Sequence, residues 1–575
     1  MNLRYIPTGF HPGMEMAEKT TGERKFSPKF LAVIAIIAIL VVVSLITGWQ
    51  LIQAQQQLAE QQERLKQQEE RLKQTEEELQ RQQEQLKQTQ EELQRLKTPY
   101  ELVASLILKN KDEVVKDKKY ASASKWQLST YSALLFTPDE KYLVVADYKN
   151  KVICLDSDVG KVVWEREFPE RMGYSICMSP DGAYVYIGFR SLDGELTCLK
   201  TSSGEVVWEW KASEDLGPGD PKYYSYYWPT IFSIQVSPDG EHIYVVARKM
   251  EKQGKTKVNI ARAYCIDAAS GEIVWKYPQE GFIDSCIPHA TLSSDGKYFA
   301  FQTWWYGEEW GPYKVVVLDS TSGELLYVVD VNKTICEAFP DNPIKPPTAW
   351  HGADFSGDGE KLVIVARSGI LIVVDHKKSV ETGEPIISKV IRFSTPLPAD
   401  VITKEGNLTQ GYIYAYTGYV KCIEDKIFVF SSNTYAFGVR GGRPALDHPN
   451  ASKVFVFDLA LELLWVYDMG GKVGYGFNFI GYSADGRVIA IPVGQNWIKM
   501  SNDPSGVLVF DLSRKGTIYD KVLFRYHTEG TAIAAAVSSK GRYVAVIELP
   551  IDVAPPGSPV KIVGEYRLLL FKLNV

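Results

Sequence analysis

Three features predict the fold. A turn phrase, Ser-Pro-Asp-Gly or a close variant, recurs from residue 137 to the C-terminal region. A second turn, apolar run to Asp-x-x-x-Gly, follows it and often closes on Trp. Near the N-terminus lies a twenty-residue stretch without a charge. Together they predict an all-β fold: an eight-bladed β-propeller with four-stranded antiparallel blades, preceded by a transmembrane helix and a long helical coiled-coil stalk. The expected divisions are a cytoplasmic tail (1–29), a transmembrane helix (30–49), a coiled-coil stalk (50–98), a neck helix and linker (99–120) and the propeller (121–575).

Residues 1–29 are too few for a folded domain. They carry Lys19, Arg24, Lys25 and Lys29 near their end. Phe30 to Trp49 reads FLAVIAIIAILVVVSLITGW, the length of a bilayer-spanning helix. Basic residues precede it and no charge follows until Glu60, so the positive-inside bias places the N-terminus in the cytoplasm and the rest outside. The apolar run exceeds a signal-peptide core and no small-x-small cleavage site follows, which favours an uncleaved anchor at the cell membrane.

Gln50 to Lys97 is rich in Gln, Glu, Lys and Arg, with Leu51, Leu58, Leu65, Leu72, Leu79, Leu86 and Leu93 spaced by seven. With Leu at position a, position d is mostly Gln or Thr, so the seam is half polar. A coiled coil, and through it a homo-oligomer, is the leading expectation; a solvated single helix held by i,i+4 Glu/Lys pairs is the alternative. Either gives a rod of roughly 70 Å. Thr98-Pro99 breaks it. Tyr100–Lys116 places Leu102, Val103, Leu106 and Ile107 on one helical face and is expected to be a neck helix.

The first turn appears at Thr137-Pro138-Asp139-Glu140, Ser179-Pro180-Asp181-Gly182, Ser237-Pro238-Asp239-Gly240, Ser293-Ser294-Asp295-Gly296, Ser356-Gly357-Asp358-Gly359, Ser483-Ala484-Asp485-Gly486 and Ser538-Ser539-Lys540-Gly541, with a degenerate copy at Ile423-Glu424-Asp425-Lys426. Pro presets the turn, Asp caps it and Gly supplies positive φ. The second turn follows Asp156, Asp267, Asp319, Asp375, Asp458 and Asp511, and Gly160/Trp164, Gly204/Trp208 and Gly271/Trp275 mark the fourth strand. After Gly541 only two strands remain. The missing outer strand of the last blade is expected from Ser122–Tyr131, which would close the ring and remove an open edge.

Ser-Pro-Asp-Gly with its alternating strand resembles the WD40-like and YVTN-type repeats, and Gly-Glu-Val-Val-Trp at 204–208 resembles the quinoprotein-like (PQQ-like) propellers, including the outer-membrane assembly lipoprotein type. This resemblance implies the propeller fold over about three quarters of the chain and says little about activity.

Net charge is −6 and no long basic stripe occurs, which argues against a nucleic-acid partner. The seven Cys include Cys154, Cys198 and Cys265 at equivalent points of the third strand, as buried small hydrophobes would. No HExxH, His pair at ligand spacing or GxSxG elbow occurs, so no catalytic residue, metal or cofactor is expected. His289 and His351 fall near innermost strands and could line a channel. Asp156-Ser157-Asp158-Val159-Gly160 resembles the start of a calcium loop, but reads better as a turn.

Aromatic insertions are the candidate recognition surface: Tyr223, Tyr224, Tyr226, Tyr227 and Trp228; Trp304, Trp305 and Trp310; and Tyr412, Tyr414, Tyr416 and Tyr419. Packing onto neighbouring blades is the competing role. Asn332, Asn407 and Asn450 head glycosylation sequons. The expected function is a membrane-anchored protein- or glycan-binding scaffold at the cell surface. A quinoprotein-like dehydrogenase or channel-site hydrolase and a structural envelope spacer are the alternatives.

Overall fold

The structure is a computed structural model of the chain. It describes residues 28–95, 100–111, 133–147, 150–223, 225–254, 256–304, 313–343, 348–439, 442–469, 480–494, 505–552 and 561–573. The chain divides into two compact units, Met1–Lys97 and Thr98–Val575.

The first unit holds one uninterrupted helix, Pro28–Arg95, of 68 residues. It is long and apolar enough to cross a membrane. Leu58, Leu65, Leu72 and Leu79 are more than half exposed along it, so the heptad stripe is uncovered among the described residues.

The second unit is a β-propeller built from antiparallel runs of four strands, joined in chain order. The first run is Ala133–Phe136, Tyr142–Ala146, Lys151–Asp156 and Val162–Glu167; the second is Met172–Met178, Tyr184–Arg190, Glu195–Lys200 and Val206–Lys211. The third is Thr230–Val236, His242–Gln253, Thr256–Asp267 and Ile273–Tyr277; the fourth is Ala290–Leu292, Tyr298–Gln302, Lys314–Asp319 and Leu325–Asp330. The fifth is Thr348–Phe355, Lys361–Ala366, Ile370–Asp375 and Ile387–Arg392; the sixth is Leu408–Ile423, Lys426–Phe437, Lys453–Asp458 and Leu463–Asp468. The seventh is Gly481–Tyr482, Val488–Val493, Ser505–Asp511 and Val522–Thr528. The last is Thr531–Val537, Tyr543–Leu549 and Tyr566–Leu573, completed by Tyr100–Lys109 from the other end of the chain.

That last pairing corrects the expected neck helix. Tyr100–Lys109 is a strand, antiparallel to Tyr566–Leu573 from Tyr100↔Leu573 to Lys109↔Tyr566. A short apolar run fits helix or strand equally well by pattern, and the open edge of Tyr566–Leu573 decides it. Tyr100 is buried and its hydroxyl donates to the Gly541 carbonyl at 3.1 Å. The expected closing strand, Ser122–Tyr131, lies outside the described residues. Closure by an N-terminal strand holds, but from a different segment.

The two repeated turns account for the regularity. In the first, the Ser hydroxyl accepts the N–H of the residue five positions on: Tyr184 on Ser179 at 2.9 Å, Lys361 on Ser356 at 3.0 Å, Tyr543 on Ser538 at 2.9 Å. The Asp carboxylate accepts the N–H two positions on, as Ala183 on Asp181 at 3.0 Å. The second turn locks neighbours together. Gly204 lies under the Trp164 ring of the preceding run, Gly271 under Trp208 and Gly323 under Trp275, so a Cβ at any of them would meet the indole within 2.7 Å. Each indole N–H donates to a carbonyl of that next turn: Trp164 to Thr201 at 2.8 Å, Trp208 to Ala268 at 3.0 Å, Trp275 to Ser320 at 2.8 Å. Cys154, Cys198 and Cys265 are the cross-strand partners of those same tryptophans, and burial pushes each thiol up to about 12.

Later runs vary the interlock. Lys389 reaches the Ala460 carbonyl at 2.5 Å. In the fifth run the turn is replaced by a short helix, His376–Thr382, capped by Asp375. The Tyr327 hydroxyl of the fourth run lies 2.7 Å from His376 Nδ1. In the last run Ala104, on the strand Tyr100–Lys109, stands against Gly160 of the first.

Candidate functional site

Each run is a meander, so its first-to-second and third-to-fourth turns fall at one edge of the sheet. The second-to-third connection and the passage to the next run fall at the other. Turns at the first edge are short, apart from the helix His376–Thr382 and the loop between Asp511 and Val522. The aromatic and polar insertions all fall at the second edge, which is the loop face.

Two insertions on that face are well ordered by their own chemistry. In residues 212–229, Asp215 accepts bonds from Arg262 (2.6 Å), Lys276 (2.9 Å) and the Tyr264 hydroxyl (2.9 Å). Burial alone would raise the Asp215 carboxyl, but those donors hold it below the usual carboxylate range. Trp228 is buried and its indole donates to the Asp220 carbonyl at 3.0 Å. Tyr227 is also buried, packed on Tyr223 at 5.2 Å between ring centres. Tyr223 and Tyr226 remain half-buried at the surface, and Arg248 stacks on Tyr226 at 4.8 Å. Trp304 is buried, pairing its backbone with Cys286. Tyr224, Trp305 and Trp310 lie outside the described residues. The structure thus brings Tyr223 and Tyr226 to the loop face and turns Tyr227, Trp228 and Trp304 inward.

The second insertion extends the sixth run. Leu397–Ile402 pairs with the first half of Leu408–Ile423, which continues against Lys426–Phe437. His448 pins the following loop: its N–H donates to the Thr434 hydroxyl at 2.7 Å and its Nδ1 accepts the Asn450 N–H at 3.1 Å. Of the sequon residues, Asn407 is exposed at this hairpin's tip, whereas Asn332 and Asn450 are half-buried.

A cavity of about 290 Å³ lies among the first strands of the runs. Its lining includes Leu135, Ser175, Gln235, His289, Tyr419, Tyr482 and Ala536, drawn from the first strands or their approaches in seven of the runs. His289 lines this cavity. His351 pairs through its backbone with Tyr419, which lines the same cavity. Nearby, Asp354 joins three runs: it accepts from the Thr291 hydroxyl (2.7 Å) and the Cys422 N–H (2.8 Å) and pairs with Lys421 (3.0 Å). Burial works to lower the Lys421 ammonium, but Asp354 wins and raises it well above the ordinary lysine value. This network ties three runs together, and the Cys422 thiol, raised by burial, lies 3.9 Å from the Asp354 carbonyl.

Other acidic residues serve the fold. Asp156 caps its own turn, accepting the Asp158 N–H at 2.9 Å, and Asp158 pairs with Lys572 and accepts the Tyr543 hydroxyl at 3.1 Å. Asp239, with Glu241 and His242 beside it, caps the third run's first turn. A further seam contact escaped the sequence reading. Glu140 occupies the position that Gly fills in most other copies, with φ 64°, and its carboxylate crosses to Lys540 N–H (2.6 Å) and Arg542 Nε (2.5 Å) of the last run. The visible signal was the missing glycine itself.

Residues 173–327 match the sequence family described as "Outer membrane protein assembly factor BamB". That stretch, about a quarter of the chain, contains Gly204, Gly271 and Gly323 with Trp208 and Trp275, the Gly/Trp pairs that lock neighbouring runs. No curated protein matches the chain. Solved structures similar to it include the C-terminal WD40 domain of Sif2 (12% identity, covering 83% of this chain and 99% of that one, TM-score 0.48). BamB from Moraxella catarrhalis shares 13% identity, covering 82% and 99%, with TM-score 0.42. Quinohemoprotein alcohol dehydrogenase from Comamonas testosteroni shares 12% identity, covering 83% and 77%, with TM-score 0.48.

Proposed function

We propose that this BamB-type propeller is a membrane-anchored, extracytoplasmic scaffold that binds a partner protein through its loop face. The carrying observation is that the aromatic insertions at 212–228, 303–313 and 412–419 all fall at the same edge of their sheets, with Tyr223 and Tyr226 partly open there. Loops on a rigid frame are where recognition concentrates. The family's description as an assembly factor favours a protein over a glycan as the partner. Eight runs of four strands among the described residues support an eight-bladed ring. Basic residues ahead of Phe30 and none from there to Glu60 support an outward-facing propeller.

The exposed leucine stripe supports a parallel coiled coil with a second copy of the chain. With Leu at position a, Arg64 and Arg71 fall at g and face Glu69 and Glu76 at e of a parallel, in-register partner. An antiparallel partner would oppose Glu69 and Glu76 to one another.

The test is a photo-crosslinking amino acid placed at Tyr223 or Tyr226, and separately at Lys200 on the short-turn face, in intact cells. Discrete protein adducts from the loop face alone support the reading. Equal yields from both faces, adducts only to polysaccharide, or a propeller protected from external protease would overturn it.

A further inference from the structure

The loop face carries a cation held among aromatic rings, with no counter-charge paired to it among the described residues. Arg367 follows the strand Lys361–Ala366. Its guanidinium lies 5.6 Å from the Trp304 ring centre and 5.2 Å from that of Tyr416. Tyr313, Tyr414 and Tyr435 stand close enough to act on it electrostatically. The tyrosines pack as a wall, with Tyr435 at 6.0 Å from Tyr414 and 4.9 Å from Tyr416. Arg367 is half-buried; its Nε is sealed from solvent without a partner, and no hydrogen bond or ion pair engages the guanidinium among the described residues.

The position is rigidly set. Thr417 N–H donates to the Arg367 carbonyl at 2.9 Å, and the Thr417 hydroxyl donates to the Ala366 carbonyl at 2.5 Å and accepts the Gly369 N–H at 3.2 Å. The turn bearing the guanidinium is therefore bolted to the strand bearing Tyr414 and Tyr416. Gly369 has φ 78°, and a Cβ there would meet Ser394 Cβ at 2.3 Å, so only glycine fits this turn as it packs on Ser394.

Ring stacking offsets only part of the cost of withdrawing a guanidinium from water. Its remaining N–H groups form a fork matched to a carboxylate or phosphate, and phenol hydroxyls are further donors for the same group. We propose that Arg367, with Tyr313, Tyr414, Tyr416 and Tyr435 around it, is a binding site for a ligand bearing an oxyanion, either a carboxylate or a phosphate. The site goes beyond the protein-scaffold reading and stands whether or not a protein also docks on this face.

Phenylglyoxal labelling of the full chain in micelles, read by peptide mass, tests it. The probes are inorganic phosphate and acetate, each against chloride at equal ionic strength, with exposed Arg443 as the internal reference. Occupancy by phosphate slows labelling of Arg367 about fivefold when the probe is at about four times its dissociation constant. Protection by phosphate alone names a phosphoryl ligand, protection by acetate alone a carboxylate, and protection by both the shared oxyanion chemistry. The Tyr416→Phe variant keeps the ring wall and loses part of the protection without a change in melting temperature. Equal protection of Arg443, or none at Arg367 by either probe, overturns the site.

Discussion

Glu140 offers the sharpest test of how the ring is closed. A non-glycine residue in the left-handed region costs roughly 1–2 kcal/mol. At φ 64° Glu140 bears that cost where the other copies with Gly at this position do not. Its side chain is 0% exposed and makes charge-assisted bonds to Lys540 N–H and to Arg542, which is itself 56% exposed. A bond to a charged group is worth about 1.5–3 kcal/mol, and the exposure of Arg542 discounts its share, so the pair contributes roughly 2–4 kcal/mol. Glu140→Ala loses the bonds and keeps the backbone strain. Glu140→Gly loses the same bonds and recovers about 1 kcal/mol of strain. For a unit of roughly 480 residues the unfolding entropy is about 1 kcal/mol per kelvin, so Ala lowers the melting temperature by roughly 2–4 °C and Gly by about 1 °C less. Calorimetry of the full chain in micelles reads both. Hydrogen exchange adds the location: faster exchange appears first in 538–543 and 100–109. A Gly variant less stable than the Ala variant, or both equal to the unsubstituted chain, would refute the reasoning.

Three further outcomes follow from the same structure. His376 is buried against Tyr298, Tyr327 and Phe355, and burial lowers it to about 4 although Asp295 and Asp375 pull the other way. Its depressed value means a stabilisation, at most about 3 kcal/mol, present above about 6.5 and lost as pH falls towards 4; urea midpoints across that window show the loss, and His376→Phe flattens it. Among the seven thiols only Cys336 is exposed, so a thiol reagent labels it promptly in the native chain, whereas Cys154, Cys198 and Cys265 react only on unfolding. If the stalk pairs in parallel, Arg64→Glu with Arg71→Glu shifts full-length chain towards monomer in sedimentation, and adding Glu69→Arg with Glu76→Arg restores the pair.

Much of the architecture was legible because it is written in short-range chemistry. Ser179-Pro180-Asp181-Gly182 folds its own turn, and the Gly/Trp pairs encode contacts between neighbours that are adjacent in sequence. The closing strand was not legible, because Tyr100–Lys109 is specified by a partner more than four hundred residues away rather than by its own pattern. The candidate site divides the same way. The aromatic clusters were visible as composition, but which rings face outward depends on tertiary contacts such as Trp228 to Asp220. Arg367 carried no signal at all, since its meaning lies in rings contributed by strands of other runs.

The propeller's last run is completed by the N-terminal strand Tyr100–Lys109. Glu101 and Lys572 are opposed across that strand pair, and both lie near the surface. In a Cys336→Ser background, Glu101→Cys with Lys572→Cys forms an intramolecular disulfide on mild oxidation, while Glu101→Cys with Arg567→Cys, displaced along the strand, stays reduced. Failure of the opposed pair to close, or closure of both pairs alike, would contradict that pairing.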